Sequence, residues 1–251
     1  MNAHHVLAST AAAAGGPQSL PTSAVSVNPQ HLRLILFDFD GTLADSFQAV
    51  VEILDRLSGR FGYPRLTPER IARLRDCDSR MVLQNSNVPT WQRPWLIYCL
   101  KRELQADLHR LQPIQGIEEV LRELRSAGYR LGIVTSNQRS TVDRFLTLMG
   151  WRHYFTWIDA SLRLFSKDRA ISRVRRQAGL QREAVAYVGD ETRDVEAARR
   201  SGVVSLSVAW GFNSERALRN SQPDMLFQHP QELLTWVRSA AAAAEKSQTH
   251  A

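Results

Sequence analysis

Two carboxylates, Asp38 and Asp40, stand two residues apart at the end of an apolar run and are followed at once by a glycine: Arg33-Leu34-Ile35-Leu36-Phe37-Asp38-Phe39-Asp40-Gly41-Thr42-Leu43. A continuous apolar run of this length suits a strand buried on both faces of a parallel sheet. Its carboxyl end is where open α/β sheets gather their ligands. If strand geometry persists to Asp40, the two acids share a face and repel unless a cation or a shared proton offsets the charge. Gly41 allows a sharp turn or a close backbone approach. The chemistry this suggests is a metal-assisted carboxylate site, although Asp and Gly after a strand also serve as an ordinary helix cap or turn.

The elements that must position such a site recur along the chain. Asp45 or Ser46 can cap a helix whose apolar residues Val50, Ile53, Leu54 and Leu57 fall at helical spacing, and Thr67-Pro68 opens another. Residues 46–111 read as all-helical, with a long stretch from Trp95 to about Leu111. From Gly116 the pattern changes to alternating helices and strands, with strands at Tyr129–Val134, Phe155–Asp159, Ala184–Asp190 and Val203–Val208. Such alternation implies βαβ units around a parallel sheet, so the fold class is α/β, a Rossmann-like parallel core with an inserted helical block. The strand ends then carry Asp38 and Asp40, Thr135-Ser136-Asn137, and Asp190 with Asp194, all along one edge, and Lys167 begins a helix near it. Carboxylates suit Mg²⁺, and the hydroxyl, amide and lysine suit phosphoryl oxygens.

Composition excludes several classes. The net charge of +7 is mostly arginine and fits attraction of anionic substrates or a solvated basic surface. The densest basic patch, Arg173, Arg175 and Arg176 with Arg182 nearby, reads as the exposed side of a helix, and no basic run with interleaved aromatics points to nucleic acid. No apolar run is long enough to span a bilayer. The two cysteines, Cys77 and Cys99, cannot make a disulfide framework or a four-ligand zinc site, so a reducing cytoplasmic compartment is expected. Residues 1–30, without Lys, Arg, Asp or Glu, and residues 239–251, with the Ala240–Ala244 run, read as flexible tails.

The ordered motifs D-x-D-G-T-L at 38–43, T-S-N at 135–137, a lysine at 167 and G-D-x-x-x-D at 189–194 resemble the haloacid dehalogenase-like phosphohydrolases over roughly residues 31 to 238. The stretch Phe37–Ser46 and the insertion after it resemble the phosphoglycolate phosphatase-like branch, with a core of 31–45 and 112–238 and a cap of 46–111. The resemblance implies that Asp38 is the nucleophile, forming an aspartyl-phosphate, and that Asp40 is the acid and then the base. It implies Mg²⁺ held by the Asp38 carboxylate, the Asp40 backbone carbonyl and Asp190, with Asp194 supporting that shell. Thr135, Ser136 and Asn137 would bind phosphoryl oxygens, and Lys167 would stabilise both nucleophile and transferring group. Spacing favours Asp194 over Glu191 as the second acid, and Arg80, Asn85 and Asn87 are cap candidates that read more simply as ordinary surface residues.

The expected activity is hydrolysis of a small phosphorylated metabolite, 2-phosphoglycolate first, by a monomer or homodimer acting without nucleic acid or membrane. Pyrophosphatase or nucleotidase activity uses the same core residues. A β-phosphoglucomutase-type phosphomutase would carry a histidine just after the first motif, and none lies between His31 and His109. A dehalogenase would lack Asp40. A non-catalytic regulatory protein on the same fold would lack at least one core residue, and none is missing.

Overall fold

The structure is a computed structural model and describes residue 27 and residues 29–160 and 167–248. Most of the expected N-terminal tail therefore lies outside the described residues. In chain order the elements are β1 (Leu34–Phe37), β2 (Ala44–Asp45), α1 (Phe47–Phe61), α2 (Pro68–Leu74), α3 (Ser79–Gln84), α4 (Arg93–Ala106), β3 (Gln112–Pro113), α5 (Ile117–Ser126), β4 (Arg130–Thr135), α6 (Arg139–Leu148), β5 (Phe155–Ala160), α7 (Lys167–Gln177), β6 (Val185–Gly189), α8 (Thr192–Ser201), β7 (Val204–Val208), α9 (Glu215–Asn220), β8 (Met225–Phe227) and α10 (Pro230–Gln248).

Six strands form one parallel sheet in the order β5-β4-β1-β6-β7-β8. The chain moves outward from β1 through β4 to β5, then returns to place β6 on the other side of β1. That reversal makes the crevice between β1 and β6 the switch point at which such sheets bind ligands. Leu34, Ile35, Leu36 and Phe37 are wholly buried, as a strand covered on both faces requires. Leu34 and Leu36 pack with Ala170, Ile171 and Val174 of α7 and Ala197 and Ala198 of α8. Ile35 and Phe37 face the opposite layer, with α5, α6 and α10. The pleat thus joins two apolar layers through one strand.

The inserted helices leave and rejoin the core through a feature the sequence did not reveal. β2 and β3 pair antiparallel, Ala44 with Pro113 and Asp45 with Gln112, so exit and re-entry run side by side. Strands of two residues have no period to read. Within the insertion, Thr67 caps α2 as expected, accepting from the Arg70 N–H at 3.3 Å, and Pro68 sits in the first turn. Ser46 occupies the cap position of α1, but its side chain makes no capping bond. The long stretch expected to Leu111 stops at Ala106 and tightens into a 3₁₀ turn over Asp107–Arg110. β8 and α9 were not anticipated either, being too short for a periodic signal. At the other end α10 runs through Ala240–Ala244 to Gln248, so those alanines, expected in a tail, continue a helix for which alanine has the highest propensity.

Phe39, between the two acids, is fully buried and meets the edge of Phe145 with centroids 5.1 Å apart; Phe145 in turn meets Trp151 at 6.0 Å. This aromatic column anchors the acidic loop to α6. Phe145→Ala is expected to destabilise the protein by about 3–5 kcal/mol, read as a lower midpoint in urea denaturation.

Candidate active site

Strand geometry ends at Phe37, and the chain then turns instead of continuing to Asp40. Leu43 and Ala44 N–H groups both donate to the Phe39 carbonyl at 3.0 Å, and the Gly41 N–H donates to Ala44. Gly41 takes a left-handed φ of +72°, which only a residue without Cβ adopts freely. The two aspartates consequently do not share one set of partners, as an unbroken strand would have required. Asp38 keeps the parity of Leu34 and Leu36, toward α7 and α8, whereas Asp40 is swung toward β4.

Asp38 is buried and accepts from the Phe39 N–H at 2.7 Å through Oδ1. Its Oδ2 accepts from Lys167 Nζ at 2.5 Å, and the same ammonium donates to Asp194 Oδ1 at 2.5 Å. Lys167 is the first residue of α7 and only 4 % exposed. Burial alone would lower its pKa, but Asp194 and Asp38 outweigh that and hold it above the ordinary value. Asp190, at the end of β6, accepts from Thr42 Oγ1 at 2.7 Å and from the Phe212 N–H at 2.7 Å. Carboxylate oxygens of Asp38, Asp190 and Asp194 all lie within 4.8 Å of one another. Burial, then the charges of Glu191, Asp38 and Asp194, drive Asp190 well above the usual carboxylate range.

Asp194 belongs to this cluster and Glu191 does not. Glu191 is the N-cap of α8 and forms a capping box with Asp194, whose Oδ2 accepts from the Glu191 N–H at 3.2 Å. The Glu191 carboxylate turns away, to the hydroxyl of Ser79 and the guanidinium of Arg193. Helix capping and membership of the acidic cluster, alternatives on sequence grounds, are both true of Asp194. The Asp40 side chain is not in the cluster; its carboxylate is held by Asn137 instead.

Asn137 donates from Nδ2 to both Asp40 oxygens, at 2.9 and 3.2 Å, and its Oδ1 accepts from the Gln138 N–H at 2.6 Å. Thr135 and Asn137 are buried, and the Thr135 hydroxyl accepts from the Asn137 N–H at 3.1 Å. Ser136 is set apart: its carbonyl accepts from Lys101 Nζ of α4 at 2.5 Å. Burial and the neighbouring Asp38 push the Asp40 carboxyl up to about 6, against the lowering effect of Asn137.

Sequence reasoning missed the residues that close the site from the far side. The segment after β7 carries Gly211, where a Cβ would lie 2.1 Å from Asp190 Oδ2. Arg75, at the end of α2, donates to the Gly211 carbonyl at 2.9 Å and the Phe212 carbonyl at 3.2 Å. Asn213 Nδ2 returns bonds to the carbonyls of Arg75 and Cys77 at 2.9 and 2.8 Å. The only available hint was the glycine in Trp210-Gly211-Phe212-Asn213, following a strand. The cap candidates Asn85 and Asn87 divide: Asn85 lines the cavity above the site, Asn87 takes a positive φ of 60° in a turn, and the Arg80 side chain lies outside the described residues. That cavity, about 290 Å³, lies between the inserted helices and Asp40, Ser136 and Asn137.

A parallel sheet with acidic strand ends at its switch point, a buried lysine and a helical insertion over them define a family, and the chain belongs to it: the haloacid dehalogenase-like hydrolases, whose model matches residues 35–208. The phosphoglycolate phosphatase of Synechococcus elongatus is 40% identical over 203 residues, covering 81% of this chain and 96% of that protein. Phosphoglycolate phosphatase 1 of Pseudomonas aeruginosa is 26% identical, covering 83% and 81%. The crystal structure of a predicted phosphatase from Clostridium acetobutylicum shares the fold, with a TM-score of 0.72 at 21% identity over 83% of this chain and 99% of that one. Among the described residues no helix is long and apolar enough to cross a membrane.

The raised Asp40 pKa makes a stability prediction. The unfolded chain releases this proton near its ordinary pKa of 3.8, whereas the folded protein keeps it until about 6. Folding therefore loses stability as pH rises through that window. In metal-free buffer Asp40→Asn should be more stable than the parent protein at pH 7, with the gap closing toward pH 4. Denaturation midpoints across that range check it, and a gap independent of pH would contradict it.

Proposed function

We propose that the protein is a Mg²⁺-dependent phosphatase that hydrolyses a small phosphorylated metabolite through an aspartyl-phosphate on Asp38, with 2-phosphoglycolate the first substrate to test. The observation that carries this reading is the Lys167 ammonium shared by Asp38 and Asp194 beside Asp190, at the sheet's switch point. The name of the 40% identical relative supports the substrate class.

In the first step an Asp38 oxygen attacks phosphorus as the bond to the leaving oxygen breaks. Lys167 fixes one oxygen of Asp38 and the Phe39 N–H the other, so the nucleophile is oriented before substrate arrives. Asp40, whose pKa of about 6 leaves a useful protonated fraction near neutrality, donates its proton to the departing alcohol. As a carboxylate it then accepts a proton from the water that cleaves the aspartyl-phosphate. Asn137 holds Asp40 through two bonds, and the Thr135 hydroxyl, which accepts from the Asn137 N–H, keeps its proton for a phosphoryl oxygen.

The donor set fits a hard divalent cation. Three clustered carboxylates face one ammonium, an excess of negative charge that Mg²⁺ offsets with the oxygen ligands it prefers. Asp38, Asp190 and the Asp40 carbonyl would hold it and Asp194 would support them. When bound, it screens the carboxylates from the phosphoryl group and stabilises charge on the transferring oxygens. Residues 46–111 serve as the cap and residues 31–45 and 112–238 as the core. The free thiols of Cys77 and Cys99 fit the cytoplasm.

Asp38→Asn should abolish turnover of any phosphate ester and yield no phospho-enzyme on rapid quench. Wild-type-like hydrolysis by that variant would falsify the nucleophile assignment. Lys167→Met should lower kcat by about a hundredfold or more. Complete chelation should stop turnover and added Mg²⁺ should restore it; activity that survives chelation contradicts the metal role.

A further inference from the structure

Four cations line the cavity, Arg70, Arg75, Lys101 and Arg193, and the chemistry just described uses none of them. Lys101 projects from α4 into the space above Asp40, where its ammonium donates to the Ser136 carbonyl at 2.5 Å. An ammonium has three donors, so two remain for another acceptor. Arg193, in the first turn of α8, lines the same cavity with its side chain only 13% exposed. Its Nε and Nη2 are committed to Glu191, but the buried Nη1 has no hydrogen-bond partner among the described residues. A buried guanidinium N–H without an acceptor is rare and calls for an explanation.

Charge in this part of the cavity is also unbalanced. Glu191 offsets Arg193 and is itself held by Ser79 of α3. Arg75, a third cation on the wall, is turned to backbone carbonyls and meets no acid within ion-pair distance among the described residues. Lys101 is near enough to feel both Asp40 and Arg193, and burial together with Arg193 depresses its pKa despite Asp40. The walls beyond are apolar, including Val50, Leu54 and Leu100. A neutral leaving group would leave the Lys101 and Arg193 donors buried and unmet, whereas an anionic one would satisfy them.

We propose that Lys101 and Arg193 form an anion subsite for the leaving group, so that the preferred substrates are phosphate monoesters of a short alcohol bearing a carboxylate close to the ester oxygen. This rests on the phosphatase reading and extends it: phosphorus is placed by the core, and the second negative charge by one cation from the inserted helices and one from α8. A carboxylate accepts from both at once because it has lone pairs on two oxygens. The arrangement explains discrimination at short range, since a longer alcohol would carry its charge past both cations into the apolar part of the cavity.

Three esters on the same two-carbon skeleton test it: 2-phosphoglycolate (anionic), ethyl phosphate (neutral) and O-phosphoethanolamine (cationic). The full-length protein with Mg²⁺ should rank them in that order by kcat/KM. Lys101→Met should lower kcat/KM for 2-phosphoglycolate by about ten- to a hundredfold more than for ethyl phosphate, chiefly through KM, as loss of a charge-assisted bond requires. Lys101→Glu should shift the ranking toward O-phosphoethanolamine. Because Arg193→Gln strands Glu191 in a buried position, the half-buried Lys101 carries the test, with thermal melts to confirm folding. Equal kcat/KM for all three esters, or equal losses across the series in Lys101→Met, overturns the subsite while leaving the phosphatase reading intact. Failure to hydrolyse any of the three, or p-nitrophenyl phosphate, overturns that reading and the subsite with it.

Discussion

Like charge held at close quarters is the condition that shapes this molecule. Asp38, Asp190 and Asp194 bring carboxylate oxygens within 4.8 Å of one another in a place that is almost dry. Two ionised carboxylates about 4 Å apart repel by roughly 4 kcal/mol at the effective dielectric of such sites, and burial together with this repulsion raises the pKa values of Asp190 and Asp194. Lys167 relieves part of this by bonding to two of the three. The remainder has to be opposed by backbone that cannot yield. Asp38 and Asp190 issue from adjacent strands in ladder register, and Asp194 is tied to the start of α8 by its capping box. The acids are therefore forced together by elements whose own stability comes from buried apolar layers some distance away.

The same condition explains why the site is closed by glycines and main-chain donors. Side chains at positions 41 and 211 would collide with the Asp190 carboxylate, at 2.2 and 2.1 Å from its Oδ2. What approaches Asp190 instead is the Phe212 N–H. That segment also carries the bonds to Arg75 and Cys77 at the end of α2, so the inserted helices rest on the piece of chain that steadies Asp190. Ser79 reaches Glu191 and Lys101 reaches Ser136 from the same insertion. The inserted helices and the acidic strand ends are thus joined by a few polar contacts, with a largely apolar cavity between.

Much of the fold and the site was legible because its signals are periodic or chemically unusual. The run Leu34–Phe37 had to be a covered strand, and β4 and β6 each ended in the residue types that the sheet brings to one edge. What was not legible has no period. The two-residue β2 and β3, the three-residue β8 and the six-residue α9 depend on long-range partners rather than on local pattern. The shared face for Asp38 and Asp40 failed because Gly41 and the turn around Phe39 end the strand early. Lys101, Arg193 and Gly211 gave no distinct signal because a lone lysine on a helix, an arginine after a helix cap and a glycine after a strand are ordinary residues until the fold brings them to one cavity.

The paired stems β2 and β3 bear on how such a protein can change. Because the chain leaves and re-enters the core across a single antiparallel step, the covalent demand on the sheet is only that two ends be adjacent, and the polar contacts at Gly211–Asn213, Glu191 and Ser136 come in addition. The entropy of closing a segment grows only with the logarithm of its length, about 0.6 kcal/mol per doubling. In chain entropy a longer or shorter insertion therefore costs the fold little, provided its ends meet at Ala44 and Pro113 and the contacts to the Gly211–Asn213 segment are kept. The architecture separates the crowded acids, fixed by the sheet, from the inserted helices joined to it by two short stems.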